Sequence, residues 1–273
     1  MTTSAKEVLH EYALHAHSNR FKQRLELTRH FVEQAFFLSG SNRWTLSLSF
    51  GKDSVALLIF LVTEFLPELQ SVSMTSSETL LVNNFLGVIE ALKTQGYLKN
   101  LHLIQTDHAD IFSGDATNLN WDATRAGIVH HQDNWLLDEW SAKNGFVGSF
   151  IGLRKQESQT RKVALNSNSG YGSRSEGYCH KMKNPLARGL WHACPLAEWR
   201  LEDLGAYLYT HDAPLLQTYI DYGLASRTVG RVNDRISVSN AGQNTNSLAM
   251  LKASDPERYN RLLNLFPDLS TKL

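Results

Sequence analysis

Trp44-Thr-Leu-Ser-Leu-Ser-Phe-Gly-Lys-Asp-Ser-Val-Ala-Leu-Leu-Ile-Phe-Leu61 is the stretch that decides the fold. It reads as strand, tight loop and helix. Trp44 to Leu48 alternates apolar and polar residues at the period of a strand, and Val55 to Leu66 is apolar enough for a helix buried on most of its circumference. Between them, Ser49-Phe50-Gly51-Lys52-Asp53-Ser54 has the chemistry that a phosphate chain needs. Gly51 lets the backbone approach an anion closely, and Ser49 and Ser54 offer hydroxyl donors. Lys52 brings a point charge, and the new helix presents unpaired N–H groups and its positive dipole end. An ordinary strand–turn–helix corner would bury Lys-Asp-Ser at a cost in desolvation unless something pairs with it.

The chain has 273 residues, enough for one large α/β domain or a domain with an appendage. Lys plus Arg and Asp plus Glu each number 27, so the global charge says nothing about nucleic acid. Two cysteines, Cys179 and Cys194, exclude a disulfide framework and cannot alone ligate a four-cysteine zinc or cluster site. The N-terminus does not read as a signal peptide, and the longest apolar run, Val55 to Val62, is too short to span a bilayer. A reduced, cytoplasmic protein without membrane association is the expectation. The charges are uneven, however. From Asp107 to Glu139 seven acids face one Arg, net −6, whereas from Arg154 to Arg188 eight basic residues face Glu157 and Glu176, net +6. The basic block is either a local polyanion site or a solvated loop face.

In chain order, residues 4–17 read as a short amphipathic helix with Val8, Leu9, Tyr12 and Ala13 on one side. Residues 21–38 read as a second, with Phe21, Leu25, Thr28, Val32, Ala35 and Phe36 at helical spacing and Ser39-Gly40-Ser41 ending it. The two pack most simply as a cap on the sheet. Gln70 to Thr75 is a short strand, Leu80 to Gln95 a helix and Asn100 to Gln105 a third strand, so the alternation predicts a parallel sheet with right-handed crossovers. Ser49–Ser54, Ser76–Glu78 and Thr106–Asp107 all fall at the carboxyl ends of strands, where such sheets bind ligands. Ser77 and Glu78 equally suit a helix cap with an acid in its first turn. Residues 107–134, with His108, His130 and His131, read as a polar surface loop; their spacing matches no strong metal-ligand motif. Trp135 to Lys143 reads as a helix and Phe146 to Gly152 as a buried strand.

The second diagnostic stretch is Gly152-Leu-Arg-Lys-Gln-Glu-Ser-Gln-Thr-Arg161. Gly152 ends a strand and Arg154 can fork onto phosphate oxygens. Arg161 lies one helical spacing from Glu157 and Ser158, so all three can share a face, with Glu157 holding Arg154 or Arg161. Residues 166–178 form a polar Gly/Ser/Asn loop, a candidate lid over an acceptor. Cys179 beside His180 is either a sulfur-handling thiol or a structural one. In Trp191-His-Ala-Cys-Pro-Leu-Ala-Glu-Trp-Arg-Leu-Glu-Asp-Leu204 the Trp packs, and Glu202 and Asp203 start a helix running to His211. Arg227 and Arg231 are further phosphate-ligand candidates, and residues 244–266 read as two short helices split near Asp255-Pro256.

Two familiar phosphate loops fail: Leu46 stands where a Walker loop needs its first Gly, and no Gly-x-Gly-x-x-Gly follows a strand. Ser49–Ser54 instead resembles the PP-loop of the N-type ATP pyrophosphatases, Ser-Gly-Gly-Lys-Asp-Ser, with Phe50 for the first Gly as in the PAPS-reductase-like branch. Residues 152–161 resemble that branch's Gly-x-Arg-x-x-Glu-Ser-x-x-Arg, Pro195, Trp199, Glu202 and Asp203 its Pro-Leu-x-x-Trp…Glu-Asp segment, and Tyr219–Gly223 its Tyr-Asp-x-Gly-Tyr turn. The resemblance implies an α/β three-layer parallel sheet, Rossmann-like and similar to the adenine nucleotide alpha-hydrolases, with an N-terminal helical cap and C-terminal helices. It suggests a helical segment 1–43, a PP-loop domain 44–232 and a helical tail 233–273.

The resemblance also implies ATP and Mg²⁺ as cofactors. Lys52, Asp53, Arg154 and Arg161 would be catalytic, and Asp53 would hold the metal. Ser49, Phe50, Gly51, Lys52, Asp53, Ser54, Ser76, Ser77, Glu78, Gly152 and Arg154 would bind the nucleotide. The implied activity is cleavage of the α–β bond of ATP to adenylylate an acceptor, with a DNA backbone phosphate preferred, as in bacterial DNA phosphorothioation. The implied partners are a sulfur donor such as a cysteine desulfurase, DNA or another nucleic acid, and other subunits of a modification complex. A sulfonucleotide reductase using an external thiol, a tRNA-thiolating adenylyltransferase and a non-catalytic nucleotide-binding subunit remain alternatives. One departure bears on the choice: no Cys lies beyond Cys194, so the reductases' C-terminal Glu-Cys-Gly-x-His nucleophile is missing. The cysteine set of the iron–sulfur phosphorothioation pyrophosphatases is missing as well. Whether Cys179 or Cys194 carries sulfur or joins an intersubunit cluster stays open.

Overall fold

The structure is a computed structural model that describes residues 4–75, 84–105, 128–166, 178–182, 189–226, 252 and 256–265. The described elements run α1 (Ala5–Leu9), two 3₁₀ turns (His10–Tyr12 and His15–His17), α2 (Asn19–Ser39), β1 (Trp44–Ser47), α3 (Lys52–Glu64), β2 (Gln70–Thr75), α4 (Phe85–Thr94) and β3 (Asn100–Gln105). They continue with α5 (Ile128–Lys143), β4 (Gly148–Ile151), a 3₁₀ turn (Lys155–Glu157), α6 (Gln159–Asn166), β5 (Cys179–Lys181), β6 (Trp191–Ala193), α7 (Leu201–Thr210), α8 (Gln217–Tyr222) and α9 (Pro256–Leu265). Among the described residues six strands form one sheet in the order β3-β2-β1-β4-β6-β5. All neighbours are parallel except β5, which pairs antiparallel with β6 at the edge.

The order reverses beside β1: β2 and β3 lie on one side of it and β4 on the other. Right-handed crossovers then put α3 and α4 on one face of the sheet and α5 on the opposite face. β1 is therefore covered twice, and its polar Thr45 is buried with its apolar residues while Ser47 is half-buried. Trp44, Leu46 and Leu48 enter the apolar core, where Trp44 stacks on Phe150 at 4.6 Å and Phe36 of α2 meets it edge-on. Gly148 makes room for that indole, since a Cβ there would lie 2.6 Å from the ring. On the other face Thr45 Oγ1 meets Ser141 Oγ of α5 at 3.1 Å, Ser47 meets Ser149 at 3.0 Å, and His192 Nε2 meets Asp138 Oδ1 at 2.8 Å. The α5 side of the sheet is thus a hydrogen-bonded polar layer.

Four elements depart from the sequence reading. The 4–17 helix is one short helix and two 3₁₀ turns, which bend the chain so that Tyr12 lies against Gly205 of α7, 2.3 Å from where a Cβ would be. This segment docks on α7, whereas α2 lies over β5 and β6. α5 starts at Ile128 rather than Trp135, because Gly127 is the last helix breaker before it, so His130 and His131 lie on a helix and not a loop. Residues 152–161 are not one helix, as described below. β5 is an antiparallel strand rather than another member of a parallel set. The tail helix α9 begins at Pro256, where the fixed φ of proline suits a first turn. Calls on Ser76, Ser77, Glu78, Thr106, Asp107, His108, Arg227, Arg231 and most of the 166–178 loop lie outside the described residues. Among the described residues no helix is long and apolar enough to cross a membrane.

The N-terminal segment is fastened to the start of α7 by one acid. Asp203 is fully buried, accepts from His15 Nε2 at 2.8 Å and from the Arg200 amide at 2.8 Å, and lies 3.7 Å from Arg24 Nε. Alongside, Trp199 Nε1 donates to Thr28 Oγ1 of α2 at 2.7 Å. Removing a buried carboxylate strands its partners, so Asp203→Ala should cost about 3–5 kcal/mol. Urea titration should read that loss, with limited proteolysis cutting first within the N-terminal segment; a loss below 1 kcal/mol would mean that the acid does not anchor it.

Candidate functional site

The strand order reverses between β1 and β4, and open α/β sheets place their ligands beyond the carboxyl ends of the strands at such a point. The two diagnostic sequence stretches meet there. After β1 the chain turns through Ser49, Phe50 and Gly51, and α3 begins at Lys52, so Lys52, Asp53 and Ser54 form its first turn. Gly51 has no side chain to cap that turn. Ser54 Oγ braces the loop instead, donating to the Gly51 carbonyl at 3.0 Å, accepting from the Ser49 amide at 3.2 Å and meeting Ser49 Oγ at 3.1 Å. The left-handed backbone position falls at Phe50, with φ 54°, where the general Ser-Gly-Gly-Lys-Asp-Ser loop pattern has glycine. The ring is fully buried and meets Phe85 edge-on at 6.4 Å, which offsets the strain of a bulky residue there.

From the other side, Gly152 follows β4 and abuts α3 so closely that a Cβ would lie 3.0 Å from the Ser54 amide nitrogen. That approach delivers Arg154. Its guanidinium is 3 % exposed, donates through Nε to Asp53 Oδ1, and reaches the Trp199 carbonyl through Nη1 at 3.4 Å. Asp53 Oδ2 lies 3.1 Å from Lys52 Nζ. Two cations and one carboxylate are therefore buried together, with one positive charge left over. Burial on its own would raise the Asp53 carboxyl. The Arg154 guanidinium, and after it the Lys52 ammonium, outweigh burial and hold the pKa at about 2, below the ordinary 3.8.

The rest of the second stretch supports Arg154. Lys155–Glu157 is a 3₁₀ turn, Ser158 is extended, and α6 starts after it with Ser158 Oγ accepting from the Arg161 amide at 3.2 Å. Glu157 accepts from the Arg154 backbone amide at 3.2 Å and pairs with the Arg161 guanidinium. So Glu157 does hold Arg161, as the spacing predicted, and it accepts from the Arg154 backbone amide while the Arg154 guanidinium goes to Asp53. Arg161 belongs to this supporting turn and not to the Lys52–Asp53–Arg154 group. The third stretch props the turn from below: Lys155 donates its amide to the Ala197 carbonyl at 2.9 Å, Gln156 Oε1 accepts from the Leu201 amide at 2.7 Å, and Lys155 Nζ reaches Glu198 at 2.5 Å.

Sequence reasoning read Tyr219 only as part of a Tyr219–Gly223 turn; the structure puts it on a short helix at this corner. Tyr219 of α8 is buried, with its ring centroid 5.1 Å from Lys52 Nζ, within cation–π range. No local signal places it there, because the contact joins distant parts of the chain. The cysteines are not at the corner. Cys194 is fully buried, and burial pushes its thiol up to about 12. Cys179 is buried in the core, and as successive strand residues point to opposite faces, its neighbour His180 faces the other way, toward His192. Among the described residues no group of three or more His, Cys, Asp or Glu could hold a metal alone. Asp53, the sequence's candidate Mg²⁺ ligand, has Oδ1 on Arg154 and Oδ2 on Lys52, so a metal here would have to share those oxygens and take its remaining ligands from substrate phosphates and water.

The family described as the phosphoadenosine phosphosulfate reductase domain matches residues 43–232, which span both halves of this corner. The chain belongs to that family. Solved structures similar to this chain include the phosphate complex of phosphoadenylyl-sulfate (PAPS) reductase from Candida auris, at 11% identity, with 86% of this chain and 99% of that chain covered and a TM-score of 0.48. Another similar structure is the U34-tRNA thiolase NcsA from Methanococcus maripaludis with its 4Fe–4S cluster, at 13% identity, 89% and 79% coverage and a TM-score of 0.44. No curated protein matches the chain.

Two outcomes follow from this geometry. Asp53→Asn leaves two buried cations unpaired and should cost about 3–5 kcal/mol near neutral pH. Because the folded carboxyl titrates below the unfolded value of 3.8, that stabilisation is complete above pH 3.8 and is lost as pH falls toward 2. The gap between the two proteins in urea titrations should therefore narrow in that acid window; a gap unchanged there would contradict the ion pairing. Phe50→Gly removes a left-handed strain of about 1–2 kcal/mol but also a buried ring worth about 3–5, so the protein should lose about 2 kcal/mol net by the same measurement.

Proposed function

We propose that the chain is an ATP pyrophosphatase that cleaves the α–β bond of ATP to adenylylate an acceptor for sulfur transfer. The observation that carries this reading is the buried Lys52–Asp53–Arg154 group, with its surplus positive charge, at the uncapped first turn of α3. An acceptor oxygen attacks the α-phosphorus, the bond to the bridging oxygen breaks, and pyrophosphate leaves; a sulfur nucleophile then displaces AMP. Lys52, Arg154 and the first-turn amides of α3 stabilise the charge that develops on the departing pyrophosphate. Asp53 is the residue that would hold Mg²⁺, which would supply further neutralisation of that charge. Ser49 and Ser54 keep the loop in shape. Arg161 acts through Glu157, on the turn that carries Arg154.

A DNA backbone phosphate is the preferred acceptor, with the net +6 segment from Arg154 to Arg188 as its support. A sulfur-donor protein such as a cysteine desulfurase, and other subunits of a modification complex, complete the reading. The burial of both cysteines supports an outside source of sulfur. The family match favours one second reading, a sulfonucleotide reductase served by an external thiol.

Incubation of α-labelled ATP and Mg²⁺ with the protein and candidate acceptors should yield AMP and pyrophosphate. Lys52→Ala should slow that release by about 10²- to 10³-fold. Release of ADP and phosphate would exclude the proposed cleavage, and sulfite released from PAPS with thioredoxin would establish the reductase instead.

A further inference from the structure

The reading above leaves one contact of the corner without a role. Tyr219 is 1 % exposed; its ring centroid is 5.1 Å from Lys52 Nζ, and its hydroxyl lies 3.5 Å from where a Cβ on Gly51 would sit. Ring and hydroxyl thus both border the phosphate loop. Lys52 Nζ has the Asp53 carboxylate at 3.1 Å and this aromatic face as its neighbours, two partners of different kinds. A carboxylate holds an ammonium but cancels its charge. An aromatic face holds it through the ring quadrupole and carries no formal charge, so the cation stays available to an anion. Asp53 is also shared with Arg154 and is the candidate metal ligand, so it is an unreliable tether. If its oxygens turned toward a metal, the ring would still restrain Lys52.

We propose that Tyr219 is a positioning residue for Lys52: its ring fixes the ammonium at the phosphate loop without neutralising it and so sets the loop's affinity for a pyrophosphate group. α8 is then a wall of the phosphate site rather than a connector. The proposal rests on reading the loop as a phosphate site, and the test separates the two. Isothermal titration of the full chain with inorganic pyrophosphate reads binding without turnover. Tyr219→Phe keeps the ring and should bind within about twofold of the parent, the scale of a weak cation–π difference. Mono-, di- and trifluorophenylalanine at 219 preserve the shape while draining the π face. They should weaken binding in steps, by about 3- to 30-fold in total.

In a Lys52→Ala background the same series should be flat, as expected of residues that act as a pair. A flat series in the Lys52 protein would overturn the role of Tyr219, as would Tyr219→Phe binding as weakly as the trifluoro variant. If Lys52→Ala itself left pyrophosphate affinity unchanged, the phosphate reading of the loop would fall instead, and the role of Tyr219 with it. The near-isosteric series avoids the cavity that a smaller residue would open at this buried position.

Discussion

The Asp53 carboxylate, divided between Arg154 and Lys52, ties the corner after β1 to the segment after β4. Three charges are taken out of water to make it. Buried ion pairs seldom outperform apolar residues of the same size once desolvation is counted, so stability alone does not explain the group. Its surroundings point the same way. Phe50 occupies a left-handed position that a glycine would occupy without strain, and Gly152 is pressed within contact distance of α3. Strained backbone and uncompensated charge are gathered at the point where the strand order reverses, which is where open α/β sheets bind their ligands. An anion placed there would meet positive charge already in position and a helix start without a side-chain cap.

The remainder of the molecule can be understood as scaffolding for that junction. β1 and β4 are neighbours in register, Ser47 opposite Ile151, so the two loops leave the sheet side by side. β6 lies next to β4, and the segment that follows it supplies the Ala197, Glu198, Trp199 and Leu201 contacts that hold residues 154–156 in place. Trp199 also bonds Thr28, and Asp203 gathers His15 and Arg24, so the N-terminal helices press on the same support from outside. A chain of direct contacts runs from the N-terminal arm to the Arg154 guanidinium.

Much of this was legible in the sequence, for reasons that differ by element. Gln70–Thr75 and Asn100–Gln105 fall where the pattern places them, because Pro67 precedes one and Gly96 precedes the other. The Ser49–Ser54 corner and the Arg154 turn could be recognised because their chemistry is packed into six to ten consecutive residues. What the sequence hid is set by contacts between distant segments. Helical spacing offers Glu157 as the partner of Arg154, but the fold places Asp53 closer, across the switch point, and a fully charged carboxylate between two cations wins. The Tyr219 ring at Lys52 and the extended Ser158 that splits the 152–161 segment likewise have no local signature. Sequence adjacency misleads in the other direction at Cys179 and His180, which the strand turns to opposite faces.

That last point bears on where sulfur enters. The thiolate is the reactive form of cysteine, and burial works against it. Cys194 is enclosed with Leu165 and Ala197 and its thiol is driven up to about 12, with the Arg161 charge too small a counterweight. Cys179 is sealed in the main core. A thiol in such surroundings packs as a small apolar residue. The phosphate corner, by contrast, is rich in cations and has no sulfur among its described side chains. On the proposed reading, activation chemistry and sulfur chemistry are separated in space, and the sulfur nucleophile would come from outside the phosphate corner.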